Sequence, residues 1–228
     1  MTPPAVRSCV VLGADAGAGQ TLVAGALVAG LCGRGVKAVA MQPVARGVRG
    51  RGGHWHSSDL QRLAAVGAFA RPERVLCTSM RSADGTVPAP APSLESVVDT
   101  FRVLATWADA VVVDAAERTD PPPAPGFDTL GLARTLRLPV VLVVALRPGC
   151  VDEARAKAEA LRRSGLECAG WVANRRDAAP DEAQAWVATL CRELPAPWLG
   201  SIPRLEADEP AGAARAIDMQ RALSALAG

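Results

Sequence analysis

Residues 13–21 read Gly13-Ala14-Asp15-Ala16-Gly17-Ala18-Gly19-Gln20-Thr21, a glycine-rich run that ends in a hydroxyl. Glycines let successive backbone N–H groups turn inward, and a helix opening at the end of such a run adds partial positive charge. Together these cradle a phosphate, and Thr21 stands where the loop hydroxyl of such a cradle would hold Mg²⁺. The usual pattern places lysine before that threonine, but the residue here is Gln20. An amide donates hydrogen bonds to a phosphate and brings no charge. Losing a charged contact to a transferring phosphoryl group typically costs about 3 kcal/mol of transition-state stabilisation, whereas ground-state binding suffers less because backbone amides supply part of it. Taken alone, the run reads equally well as a phosphate cradle or as a plain strand-to-helix turn.

The elements around it favour the cradle. Val6 to Leu12 reads as a buried strand, Gly13 to Gly19 as a loop, and Gln20 to Cys32 as an apolar, small-residue helix. Further strands are expected at Val36–Met41, Asp109–Asp114, Pro139–Leu146, Leu166–Ala173 and Trp198–Ile202, with helices near 58–67, 94–107, 127–136, 151–164, 181–193 and 211–226. Short continuous apolar strands alternating with helices imply a parallel sheet covered on both faces, the doubly wound α/β class. In such sheets ligands bind beyond the carboxyl ends of the strands. The segments that matter are then 13–21, 42–59, 114–126, 147–151, 174–180 and 203–210. Residues 43–57, rich in glycine and arginine, and the proline-rich 115–126 are expected to be irregular loops.

Composition removes several alternatives. With 228 residues, half of them hydrophobic, one domain spanning 1–228 is expected. A net charge of +2 does not suit a nucleic-acid binder, which shows a concentrated basic face. No apolar run reaches the roughly 20 residues of a membrane helix. The opening MTPPAVRSCVVLGADAG does not read as a signal peptide, so a cytoplasmic location is expected. Cys9, Cys32, Cys77, Cys150, Cys168 and Cys191 have no metal-ligand or redox spacing and read as small buried apolar residues. His54-Trp55-His56 with Asp59 makes an incomplete metal set and reads better as a flexible loop.

Several segments, taken in order, carry a resemblance. These are the loop GADAGAGQT; Gln42-Pro43-Val44-Ala45-Arg46-Gly47; Ser58-Asp59; Val113-Asp114-Ala115-Ala116-Glu117; Gly149-Cys150; Gly170-Trp171-Val172-Ala173-Asn174; and Leu199-Gly200-Ser201-Ile202-Pro203. The ordered set resembles dethiobiotin synthetase, a P-loop α/β family. The family's loop is similar to GTDTxVGKT, its second segment to KPVxSG. The resemblance implies a small-molecule reaction: 7,8-diaminononanoate captures CO₂ as a carbamate, ATP phosphorylates it, and the second amine closes the ureido ring of dethiobiotin, a step of biotin biosynthesis. It implies ATP and Mg²⁺ as cofactors and a homodimer. Carried over by position, Gly17, Ala18, Gly19, Gln20 and Thr21 hold the phosphates. Thr21, Asp59 and Asp114 hold Mg²⁺, a hard cation suited to oxygen ligands. Asn174, Pro203, Arg204 and Leu205 line the adenine pocket, and Arg46, Ala115, Ala116 and Glu117 face substrate.

The departures from the family pattern cluster on chemistry. Its catalytic lysines stand as Gln20 and Gln42, its substrate serine as Arg46, and its glycines after the acidic strand end as Ala115, Ala116, Glu117 and Arg118. Asp114 is shorter than the family's glutamate. Lys37 and Lys157, the only lysines, sit at the wrong end of a strand and well inside a helix. Arg46, Arg49, Arg51 and Arg118 are on the right loops to stand in, or are merely solvated loop charge. Two readings remain: an impaired synthetase ligase, and a catalytically degenerate paralogue acting as a nucleotide-binding or partner-binding dimer. A partitioning ATPase or an amidotransferase-type ligase is disfavoured by the Trp171–Asn174 and Leu199–Pro203 matches.

Overall fold

The computed structural model describes residues 6–51, 54–69, 77, 79–82, 93–115, 129–176, 178–205 and 209–227. In chain order the elements are β1 (Cys9–Gly13), α1 (Gln20–Cys32), β2 (Ala38–Met41), β3 (Val44–Arg51), β4 (His54–His56), α2 (Ser58–Val66), β5 (Ser79–Ser82), α3 (Leu94–Ala105) and β6 (Ala110–Asp114). They continue with α4 (Thr129–Leu136), β7 (Val140–Ala145), α5 (Cys150–Arg163), β8 (Cys168–Asn174), α6 (Pro180–Glu193), β9 (Trp198–Ile202), α7 (Pro210–Ala214) and α8 (Met219–Ala225).

The main sheet has six parallel strands in the order β2-β6-β1-β7-β8-β9. Its strands are buried on both faces, which is why they read as continuous apolar runs. Successive side chains alternate between layers. Cys9 and Val11 of β1 pack with α1, α7 and α8, while Val10 and Leu12 pack under α3 and α4. On β7 and β8, Leu142, Val144, Trp171 and Ala173 face α5 and α6. Helix α1 is apolar on nearly every side, as suits a helix enclosed by sheet and helices. The strand order reverses around β1, so the loop after β1 opens at a switch point, where ligands bind in such sheets.

A second sheet was not expected. β3 pairs antiparallel with β4 and parallel with β5, so part of 43–57 is strand rather than irregular loop. Its sequence hides this, because glycine is a poor strand former and the interspersed arginines break any apolar run. His54–His56 forms β4 itself, and no metal-holding group of histidine, cysteine or acid occurs among the described residues. The expected helix 211–226 is two helices. Asp218 interrupts it: its backbone N–H reaches Leu199 O at 2.7 Å and its side chain caps α8 by accepting from Arg221 N at 3.0 Å. Of the 115–126 segment only Ala115 is among the described residues.

Cys9, Cys77 and Cys150 are buried, Cys32 and Cys168 are intermediate, and Cys191 is exposed, contrary to the expectation for that residue. Cys191 lies near the end of α6, just before Arg192 and Glu193, and the neighbouring Leu190 takes the buried position instead. Burial pushes the Cys9 thiol up to about 12, consistent with a packing role. No helix among the described residues is long and apolar enough to cross a membrane.

Gly200, in the middle of β9, forms a bridge with Ile217 in the turn before α8. Its φ is +146°, and a Cβ there would lie 2.2 Å from Ala216 O. The backbone conformation suits glycine alone, and the obstacle is main chain that cannot rotate away. Gly200→Ala is expected to cost at least about 2 kcal/mol. Thermal unfolding should show a drop of roughly 4 °C or more; an unchanged melting temperature would contradict this packing of β9 on the α7–α8 turn.

Candidate nucleotide and metal site

The glycine loop leaves β1 and enters α1 through two left-handed glycines, Gly17 (φ 82°) and Gly19 (φ 92°). Gly19 is the residue before the first helical turn, so the N–H groups that follow it point out of the helix end. A Cβ on Gly19 would lie 2.1 Å from Asn174 Nδ2. The close approach has a purpose: Asn174, buried at the end of β8, donates to Ala18 O at 2.9 Å and ties the loop to the sheet. Arg176, two residues on, donates to Gly17 O at 3.3 Å.

Asp15 anchors the other side of the loop. Arg147, just past β7, donates through Nε to Asp15 Oδ2 at 3.0 Å and through a terminal nitrogen to Glu153 Oε1 at 2.8 Å. Those two carboxylates raise the pKa of the Arg147 guanidinium, first through its hydrogen bonds to Asp15 and Glu153. The pair was not legible from the sequence, since Arg147 and Asp15 meet only when β1 and β7 pair side by side.

Asp114 ends β6, fully buried, and its Oδ2 accepts from Thr21 Oγ1 at 2.7 Å and from Gln42 Nε2 at 2.7 Å. Gln42 lies between β2 and β3, held by both sheets, and is 4% exposed. Its Oε1 has no hydrogen-bond partner among the described residues. Gln20 is partly buried, with its Oε1 near Gly13.

Ser57 caps α2 by accepting from Leu60 N, which sets Asp59 in the first helical turn. Asp59 lines a cleft of about 290 Å³ together with Gly19, Thr21, Asn174, Pro203, Arg204 and Leu205. Thus residues far apart in sequence converge as expected. The same cleft also takes in Leu22, Arg62, Arg176 and Pro210, which sequence reasoning missed. Arg62 was signalled, being three residues after Asp59 on one helix face; Arg176 follows a strand end that was already marked. Thr21, Asp59 and Asp114 offer a hydroxyl and carboxylates, an oxygen set that fits a hard cation. Of the expected substrate residues, Ala115 is buried with its N–H on Val11 O at 3.2 Å. Ala116 and Glu117, with Arg118, lie outside the described residues, as does the side chain of Arg46 in β3. Lys37 sits at the opposite end of the sheet, where its backbone N–H donates to Asp109 Oδ2 at 2.9 Å, and Lys157 lies midway along α5.

The fold and the loop define a P-loop α/β nucleotide-binding class. The MinD cell division protein of Aquifex aeolicus has a similar fold, with a TM-score of 0.60 over 95% of each chain at 15% identity. A family model described as an AAA domain matches residues 7–211. The ATP-dependent dethiobiotin synthetase BioD of Ralstonia nicotianae is 36% identical over 95% of this chain and 97% of that protein. The protein of the same name from Janthinobacterium sp. (strain Marseille) is 37% identical over 94% of this chain and 95% of its own length. The chain belongs to the dethiobiotin synthetase family.

Asn174→Ala removes the tie to Ala18 O and is expected to cost about 1–2 kcal/mol. Amide exchange of the 17–21 loop should speed up in the same variant. Unchanged melting and unchanged loop exchange would show that the tie does not hold the loop.

Proposed function

We propose that the chain is an ATP-dependent dethiobiotin synthetase of low turnover, forming dethiobiotin from 7,8-diaminononanoate, CO₂ and ATP as its relatives' name implies. The observation that carries this reading is the convergence of Gly19, Thr21, Asp59, Asn174 and Pro203–Leu205 on one cleft. Backbone N–H groups after Gly19 receive phosphate, and Asn174 with Pro203, Arg204 and Leu205 receives the base. Thr21, Asp59 and Asp114 would hold Mg²⁺, which when bound neutralises charge on the phosphates. Gln42 reaches the same carboxylate oxygen as Thr21, so its amide orients the substrate side of the site without adding charge. The chain is read as one domain working as a homodimer.

Turnover is low because phosphoryl transfer depends on positioning and on neutralising charge. Gln20 supplies neither a cation nor its field to the transferring group. A second reading, a nucleotide-binding paralogue without turnover, is favoured by one observation: Gln42, in place of a lysine, is a neutral donor on Asp114.

Purified protein with diaminononanoate, bicarbonate and MgATP should form dethiobiotin above a no-enzyme control. Gln20→Lys should raise turnover by about 100- to 1000-fold, the reverse of removing one charge-stabilising donor. No dethiobiotin from a protein that still binds ATP would leave the second reading. No ATP binding would remove both.

A further inference from the structure

We infer that Arg62 and Arg176 supply the positive charge that the loop lacks at Gln20, holding the polyphosphate of the nucleotide in the cleft. This rests on the nucleotide reading above and extends it to residues outside the matched motifs.

A nucleoside triphosphate brings several negative charges beside Asp59. Lys37 is at the far end of the sheet, and Lys157 is on α5 away from the cleft. Arg147 lies beside the loop, but its guanidinium is already committed to Asp15 and Glu153. The arginines that line the cleft are Arg62, Arg176 and Arg204. Arg204 lies between Pro203 and Leu205, on the side read as the base pocket.

Arg176 follows the end of β8, and one of its terminal nitrogens donates to Gly17 O at 3.3 Å. That single long bond sets the guanidinium beside the glycine loop and leaves other donors of the planar fork for an anion. Arg62 sits one turn after Asp59, with NH1 3.7 Å from Asp59 Oδ1. An ion pair this long and half-exposed is weak. Its side chain is 47% exposed, so the guanidinium can move from Asp59 to a phosphate at small cost. When Asp59 turns to a cation, Arg62 is released for the nucleotide. Both arginines come from elements other than the loop. They bind charge in the ground state without reaching the point where a loop lysine follows the transferring group, so nucleotide affinity is kept while turnover stays low.

Calorimetric titration with ATP, ADP and adenosine tests this on the wild type, Arg62→Gln, Arg176→Gln and the double variant. Arg134→Gln, an exposed arginine on α4 outside the cleft, is the charge control. Each cleft variant should weaken ATP binding about tenfold and the pair about 100-fold, roughly 1.4 kcal/mol per contact. Adenosine binding should stay the same, and the salt dependence of ATP binding should become shallower. ATP affinity unchanged in both single variants and in the double variant would overturn the inference. So would an equal loss for adenosine, which would mean that the arginines merely shape the cleft. If the wild type binds ATP through these arginines but forms no dethiobiotin, the inference stands and the synthetase reading falls. If the wild type turns over and the variants keep their ATP affinity, the synthetase reading stands and the inference falls. A wild type that binds no ATP overturns both.

Discussion

One carboxylate oxygen, Asp114 Oδ2, holds together three parts of the chain that must meet for the cleft to exist. It receives the Thr21 hydroxyl from the first turn of α1 and the Gln42 amide from the link between the two sheets. A carboxylate this deeply buried is costly unless hydrogen-bonded, and two short donors offset much of that cost. The arrangement therefore fixes α1 against the end of β6 and fixes the start of the second sheet against both. The loop before α1 has little freedom left, because Asn174 ties its inner side and Arg147 its outer side.

The sheet makes these contacts possible by placing β6, β1, β7 and β8 side by side with their carboxyl ends together. Asp114, Gly13, Ala145 and Asn174 end adjacent strands, so residues separated by most of the chain become neighbours. Polar atoms gather at that edge while the layers above and below remain apolar. In the dethiobiotin synthetase family pattern the same edge carries lysines. Here it carries Gln20 and Gln42, while Arg62 and Arg176 line the cleft beside it.

Much of this was legible in the sequence, for physical reasons. Strands buried on both faces read as apolar runs, and α1 and β9 fall within the expected limits. The glycine loop was legible because its φ values demand glycine at Gly17 and Gly19. The second sheet was not, since β3 is rich in arginine and glycine and its pairing is long-range. The break between α7 and α8 turned on Asp218 meeting Leu199 O, a contact that no local pattern announces. Cys191 follows a helical period but lies on the solvent side of α6. Among the candidate residues, Thr21, Asp59, Asn174 and Pro203–Leu205 do meet in one cleft, and Asp114 joins them through Thr21. Of the arginines looked for as stand-ins, the side chains of Arg46, Arg49 and Arg51 and the whole of Arg118 lie outside the described residues, whereas Arg62 and Arg176 line the cleft.

The most direct test of this account is ATP titration with and without Mg²⁺, comparing the wild type with Asp114→Asn. Asparagine keeps the size of the side chain and removes its charge. The account predicts that Mg²⁺ tightens ATP binding in the wild type by about tenfold, the effect of one well-placed charge. In Asp114→Asn that tightening should vanish while metal-free ATP binding is at least as strong. A variant whose ATP affinity still rises with Mg²⁺ as in the wild type would contradict the central place given to this carboxylate.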